Sequence, residues 1–364
     1  MSIVQPSPRV LDLTGPRTGP EVVVLASTAA EVLVSLIARG MDEARSTYDP
    51  RPAGLTDEEA GLPEGWERSF QALGGGDASW VNLLAFAPPG VEGGEIDALL
   101  DSLESAEARQ VWLGMAGAFV PPLAEELGPE VLERASEGDR KAAAAVRKAW
   151  RASDEDDPGI DHVLAMIPSE LKTAVLDVLR TWSSAVFAPR MARTAEILER
   201  DALRVRRLCG SESVERVIEL ASRGLEFRPE PWIHRVVLFP HIAMRPWNVL
   251  SARQGDSLIC YPVSDESLDI EPGAPPPGLV RLHRALGDEK RLRMLGVLAA
   301  TSDAGLQELA EAVGLAKSSA HHHLVVLRAA GLISVTTDGR GRYRLRRDFL
   351  PEASVMLGDF LGTA

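Results

Sequence analysis

Cysteine, aromatic residues and long apolar runs are all scarce in this sequence, and each shortage removes a class of protein. The two cysteines, Cys209 and Cys260, have no second thiol and no metal-type spacing near them. That excludes a disulfide framework or a cysteine-held zinc cluster, and both are expected to be small buried apolar residues. The longest nearly uncharged apolar run, residues 111–124, is too short to cross a bilayer and carries Pro121 and Pro122. The start of the chain lacks a basic-then-apolar leader, so a soluble cytoplasmic protein with no membrane partner is expected. Residues 1–263 also lack a G-x-S-x-G elbow, an H-E-x-x-H pair, a Walker glycine loop and a dinucleotide fingerprint. No catalytic residue, metal ligand or cofactor is assigned, and an enzyme is disfavoured.

What is present is a chain of 364 residues, 45% apolar, enough for a sizeable core and two or three domains. The net charge of −14 is unevenly spread. Residues 279–364 hold 12 Lys and Arg against 9 Asp and Glu, a net of +3, whereas residues 1–278 hold 27 against 44, a net of −17. Within 317–347 there are seven basic residues and one acid, Asp338. A basic stripe inside an acidic chain is the electrostatic footprint of a nucleic-acid contact.

The fold class expected is mainly α with small β elements. Residues 1–263 read as a mostly helical regulatory or effector-binding domain, with a sub-boundary at the acidic stretch 152–159 and a long helix from Met191 to Leu208. "EVVVLAS" near the start reads as one short buried strand. "HRVVLFPHIAMRPW" and "DSLICYPV" are β-branched and aromatic runs that predict a small sheet closing this domain. Residues 264–278, "SDESLDIEPGAPPPG", have four prolines and no periodic apolar face, which predicts a semi-rigid linker.

Residues 279–364 are crisper. A helix carries Leu279, Leu282 and Leu286 and ends at Gly287. Asp288 is placed to cap a second helix bearing Leu292, Leu295 and Leu298. "LQELAEAVGL" gives a short helix stopped by Gly314, and residues 317–330 a further helix that buries Ala320, Leu324 and Leu327 and stops at Gly331. "LISVTT" and "RYRLRR" then alternate around Asp338-Gly339 as a hairpin, with Arg342, Arg344 and Arg346 on one face and Tyr343 and Leu345 on the other. Short helix, glycine turn, helix and basic hairpin is the order of a winged helix-turn-helix, whose second helix enters the major groove.

The blocks "HRALGDEKRLRMLGVLA", "LQELAEAVGLAKSSAHHHLVVLRAAGLI" and "GRGRYRL" resemble those of ArsR-type bacterial transcriptional regulators, over about a fifth of the chain. The resemblance implies a homodimeric module on double-stranded DNA, commonly a repressor released by an effector. It also implies that the dimer forms through residues 279–286 and 352–361, where Val355, Met356, Phe360 and Leu361 supply apolar contact. Metal-sensing members carry thiols in the helix before the turn, and "LQELAEAVGL" has none.

The triplet His321, His322, His323 is not a metal site by itself, since consecutive helical residues point about 100° apart. His321 and His322 belong with Lys317, Ser318 and Ser319 on the outward face, and the resemblance sets that group against DNA. Arg340 and Arg342 at the hairpin are expected to reach phosphate or the minor groove. Arg344, Arg346 and Arg347 fit that role or an ordinary solvated face. Arg291 and Arg293 read as structural.

All seven tryptophans lie upstream of the linker. Trp232, His234, Phe239, His241, Trp247 and Tyr261 gather around the predicted sheet, as an aromatic effector pocket or as core packing. The sequence-based reading is a homodimeric DNA-binding transcriptional repressor controlled by an effector. The alternatives are an N-terminal enzyme fused to a DNA-binding module, or an acidic interaction domain that self-inhibits DNA binding.

Overall fold

A computed structural model describes residues 19–41, 47–49, 61–75, 78–86, 95–118, 126–152, 159–228, 233–253, 255–270, 273–336 and 342–363. The architecture is mainly helical with small β elements. Strand β1 (Glu21–Val24) leads into α1 (Thr28–Gly40), whose N-cap Ser27 accepts a hydrogen bond from the Ala30 N–H at 3.1 Å. Every residue from Ala29 to Ala38 is buried, so α1 is an interior helix with no solvated stripe.

Around it lie α2 (Trp66–Ala72), a 3₁₀ segment (Ala78–Phe86), α3 (Ile96–Ser105), α4 (Ala108–Met115), α5 (Pro129–Ser136), α6 (Arg140–Ala152), α7 (Gly159–Ala165) and α8 (Pro168–Trp182). The long α9 (Met191–Cys209) and α10 (Val214–Ala221) follow. Most of the acidic stretch expected as a sub-boundary, 153–158, lies outside the described residues.

The expected sheet forms from β3 (Arg235–His241), β4 (Val249–Arg253) and β5 (Asp256–Pro262), and β1 from the start of the chain completes it. The order is β1-β3-β5-β4, with β1, β3 and β5 parallel and β4 antiparallel on β5. The helical body is therefore inserted within one sheet, since its flanking segments pair directly: Val22 faces Val236. Val237, Phe239, Leu258 and Cys260 join the large helical core on one face. Val236, Leu238, Ile259 and Tyr261 pack against Ala202 and Val205 of α9 and Val217 and Ile218 of α10 on the other. Burial on both faces is why "VVLF" and "LICY" run apolar without alternation.

Trp66 stacks between Phe70 at 5.1 Å and Trp182 at 5.2 Å. The indole N–H groups are satisfied inside: Trp182 donates to Ser35 Oγ at 2.8 Å, Trp112 to the Val163 carbonyl at 3.1 Å and Trp150 to the Ala116 carbonyl at 3.0 Å. Cys260 is buried as expected, but Cys209 is exposed, in the last turn of α9 beyond the inward stripe that ends at Val205.

The C-terminal elements are α11 (Pro277–Leu286), α12 (Glu289–Ala300), β6 (Ala304–Gly305), α13 (Leu306–Val313), α14 (Lys317–Ala329), β7 (Ile333–Thr336), β8 (Arg342–Leu345) and α15 (Leu350–Leu361). Asp288 caps α12 by accepting from the Arg291 N–H at 3.0 Å. A second core gathers Leu282, Met294, Leu298, Leu309, Val313, Ala320, Leu324, Leu327 and Leu345.

Strand pairing and buried hydrogen bonds are among the features that join this unit to the body. Strand β2 (Leu225–Glu226), which follows α10, pairs in parallel with β7, giving a sheet of order β2-β7-β8-β6. The start of the segment expected as a linker is pinned: buried Asp201 of α9 accepts from the Ser264 N–H and the Ser267 hydroxyl, each at 2.8 Å. Proline content predicted stiffness there, but hydrogen bonding to a carboxylate 63 residues earlier has no local signature.

At the end of β3, His241 is fully buried. Its Nδ1 accepts from the Met244 N–H and its Nε2–H donates to the Trp247 carbonyl at 2.8 Å. Burial lowers its pKa to about 3. The unfolded chain then binds the proton first, so this residue contributes no penalty above about pH 6.5 and a growing one as pH falls toward 3. Urea unfolding at pH 6, 5 and 4 is expected to show a loss near 1.4 kcal/mol per pH unit from this residue, and a smaller one between pH 7 and 6. The His241→Gln variant should have a slope shallower by that amount, and an unchanged slope would refute the assignment.

Candidate nucleic-acid interface

Helices α13 and α14 are joined by a tight turn in which Gly314 adopts φ +67°. Lys290 donates from Nζ to the Val313 carbonyl at 2.8 Å, satisfying the end of α13. The residue before α14 is Ala316, which has no side-chain acceptor, and the first turn contains no acid. The first-turn N–H groups of α14 thus present positive potential outward, next to Lys317.

Lys317, Ser318, Ser319, His321 and His322 are all exposed, while Ala320, Leu324 and Leu327 are buried. The two groups separate as the helical spacing predicts. His323 turns inward, half-buried, with Nδ1 3.8 Å from Asp288 Oδ1, and burial lowers its pKa. The His322 and His323 rings lie 6.3 Å apart and edge-on. Among the described residues no group of three or more His, Cys, Asp or Glu is arranged to hold a metal ion.

The basic window reads differently in three dimensions. Arg342 is held by Asp303 at 2.6 Å and Glu308 at 2.9 Å, and these carboxylates raise its pKa. Arg344 pairs with Glu226 of β2 at 2.8 Å. Arg346 is buried, donating to the Gly331 carbonyl at 3.1 Å with its guanidinium over Phe349. Arg328, at the far end of α14, lies over Trp247 of the body at 5.5 Å. Arg347 donates to the Ala299 carbonyl at 2.5 Å. Arg340 lies outside the described residues, as does the hairpin tip. The cations counted along 317–347 are therefore largely engaged by acids and carbonyls of the protein itself, and Lys317 is the exposed cation of α14. Arg342 in particular must leave two carboxylates to reach a phosphate.

Arg291 and Arg293 are structural, as expected: Arg291 donates to the Ala285 and Arg284 carbonyls, each at 2.7 Å, and Arg293 pairs with Glu289 at 2.5 Å. Sequence reasoning missed Asp303, Glu308 and Glu226. Glu308 had a local signal, since it also accepts from the Gly305 N–H at 3.0 Å in a capping arrangement. Glu226 had none, being 118 residues from Arg344.

The residues grouped as an effector pocket do not line one cavity. Phe239 faces the large core and Tyr261 the opposite side of the same sheet, because they occupy alternate positions on neighbouring strands. His234 is exposed at the strand entrance, and His241 is bonded to backbone. Trp247 donates to Thr47 Oγ1 at 2.9 Å and packs on the large core. Trp232 lies outside the described residues.

Residues 289–336 match the IclR helix-turn-helix domain. This supports a DNA-binding transcriptional regulator; the ArsR-type assignment is not supported by it. The apolar spacing and glycine stops that carried that resemblance are packing requirements of a winged helix and do not separate one such family from another. No curated protein and no solved structure matches the chain. Among the described residues no helix is long and apolar enough to cross a membrane.

Leu324 and Leu327 fix which face of α14 is outward. Leu324→Ala is expected to cost about 2–5 kcal/mol of stability in the C-terminal unit. Denaturant unfolding followed by amide exchange within α12–α14 measures this, and a loss below about 1 kcal/mol would mean the helix is not held by that face.

Proposed function

We propose that the chain is a sequence-specific transcriptional regulator that lays α14 in the major groove and acts as a homodimeric repressor under effector control. The observation that carries this reading is the outward set Lys317, Ser318, Ser319, His321 and His322 on a helix whose first turn is uncapped and free of acids. Lys317 and the first-turn N–H groups suit phosphate, while Ser319 and His322 suit base edges.

A dimer is supported by apolar side chains left in solvent on α11, α12 and α15. Val280, Leu292, Val355, Phe360 and Leu361 are all at least 40% exposed. Such a density of large apolar groups on one terminal unit suits a self-complementary contact, with half-sites about one helical turn apart. We assign the body a regulatory role because it is attached to the wing itself, through β2 and Glu226, and not merely through a tether.

A second reading is favoured by that same attachment. Glu226 accepts from the Ser334 hydroxyl at 2.6 Å and from Arg344, so the body holds a wing arginine away from phosphate. In this reading the docked body restrains DNA binding.

Fluorescence anisotropy with the duplex upstream of the protein's own gene, against a scrambled duplex, tests the first reading. Selective binding that falls steeply between 50 and 200 mM salt, on the order of a hundredfold or more for several phosphate contacts, is expected. Equal weak binding to both duplexes would overturn it. Lys317→Ala should weaken binding to both sequences and reduce the salt slope by about one, whereas His322→Ala should change base preference. Glu226→Gln should tighten binding if the docked body restrains the wing; unchanged or weaker binding rules that restraint out.

A further inference from the structure

The carboxyl end of β5 borders a cavity of about 600 Å³ that lies between the body and the C-terminal unit. Its body side is formed by α9, α10 and the end of β5, through Arg204, Leu208, Leu220, Arg223 and Pro262. Its other side is formed by Arg281 of α11, Arg346, Phe349 and Met356 of α15. The carboxyl edge of parallel strands and a boundary between two packed units are both habitual positions for small-molecule sites, and the volume suits a compact organic molecule.

Its wall carries four arginines, Arg204, Arg223, Arg281 and Arg346, and the carboxylate of Asp265. Arg223, Arg245 and Arg281 converge on Asp265, whose Oδ1 accepts from Arg245 and from Arg223 at 3.3 Å, with Arg281 at 3.9 Å. The other oxygen, Oδ2, is taken by the Gly278 N–H at 2.6 Å. Asp49 is the second carboxylate of the cluster, paired with Arg281 and 3.4 Å from Arg245. Three guanidinium groups thus share two carboxylates.

Arg204 is committed to Asp201 at 3.1 Å, and Arg346 is a further buried cation on the wall, bonded to the Gly331 carbonyl and 3.8 Å from Asp348. The Nε atoms of Arg245, Arg281 and Arg346 are buried without a hydrogen-bond partner. Burial and the Arg223 charge push the pKa values of Arg245 and Arg281 down, that of Arg245 to about 10. The remaining acids, Glu266 and Glu352, are exposed at the rim.

Two backbone features place these groups. Arg223 itself sits at φ +58°, the left-handed position after α10 that glycine normally takes. Gly224 follows at φ +106°, and a Cβ there would stand 2.5 Å from Arg346 Cδ, so only glycine lets the wing arginine lie against the body. A strained arginine and an obligatory glycine side by side are the mark of a site held in shape by its surroundings.

We propose that this cavity is an effector site for a small organic acid, with a carboxylate on the Arg223, Arg281 and Arg346 guanidiniums and an apolar body against Leu208, Leu220, Phe349 and Met356. The inference rests on the regulator reading for its purpose but not for its test. Guanidinium forks suit a carboxylate in bidentate geometry, and the apolar remainder of the wall gives free phosphate nothing to gain. Because both halves contribute walls, an acid bound here favours the arrangement in which body and wing are docked.

The test is thermal unfolding of the full chain, without DNA, titrated with acetate, octanoate, benzoate, phenylacetate and 2-naphthoate, their amides, and inorganic phosphate. At least one acid with an apolar body is expected to raise the Tm saturably, with its amide, acetate and phosphate having little effect. Arg346→Gln should weaken that acid about tenfold or more through loss of a charge-assisted contact. Met356→Trp, which fills the cavity and removes no charge, should abolish the shift while leaving the Tm of the unliganded protein close to wild type.

A shift with no member of the series overturns the proposal. So does a shift unchanged in Met356→Trp, which puts the site elsewhere, or an equal shift with phosphate, which leaves a bare anion hole. Loss of DNA binding in the anisotropy experiment would leave this result standing, and the converse also holds.

Discussion

The arrangement of this protein depends on one carboxylate. Asp265 stands just past the end of β5 and gathers Arg245 from the body, Arg223 from the turn after α10 and, at longer range, Arg281 from α11, while its second oxygen takes the Gly278 N–H at the start of that helix. Burial alone would raise its pKa, but the three guanidiniums hold it down at about 2. A buried charge cluster of this kind is not a large net source of stability, because desolvation cancels much of the attraction. Its effect is geometric: an unpaired charge there would cost several kcal/mol, so the sheet end and α11 are strongly constrained to stay in register.

Given that constraint, the rest of the junction follows. Asp201 fixes Ser264 and Ser267 to α9, which brings the chain to Pro277 beside the body and not away from it. The C-terminal unit is then close enough for β2 to extend its sheet, for Arg346 to lie on Gly224, and for Arg328 to cover Trp247. Parallel pairing of β2 with β7 also covers an edge strand that would otherwise present open hydrogen-bonding groups. The body is thereby coupled to the wing, while the outward face of α14 is left accessible.

This coupling changes how the charge of the chain is read. A stripe of seven basic residues suggests an open cationic wing, yet Arg342, Arg344 and Arg346 find carboxylates or carbonyls at Asp303, Glu308, Glu226 and Gly331. The exposed, uncommitted chemistry lies at the start of α14, where short polar side chains meet the positive end of the helix. Local charge density along the sequence thus overstates what a DNA phosphate would meet, because opposite charges arrive from other parts of the fold.

Much of the C-terminal unit was legible in the sequence because its determinants are local. Asp288 caps α12 from the adjacent position, Gly314 and Gly331 end helices through their own backbone freedom, and Ala320, Leu324 and Leu327 mark the inward face of α14 by helical period alone. The runs around Phe239 and Cys260 likewise announced strands. What the sequence by itself determined is this set of short-range choices: which segments are helix or strand, and which side of each is apolar. Only the tertiary structure decided that β1 joins a sheet more than two hundred residues later, that Phe239 and Tyr261 fall on opposite faces of it, and that Glu226 and Asp265 bind the wing and α11 to the body. Such pairings are selected by burial and charge compensation between distant segments, which leave no periodic trace along the chain.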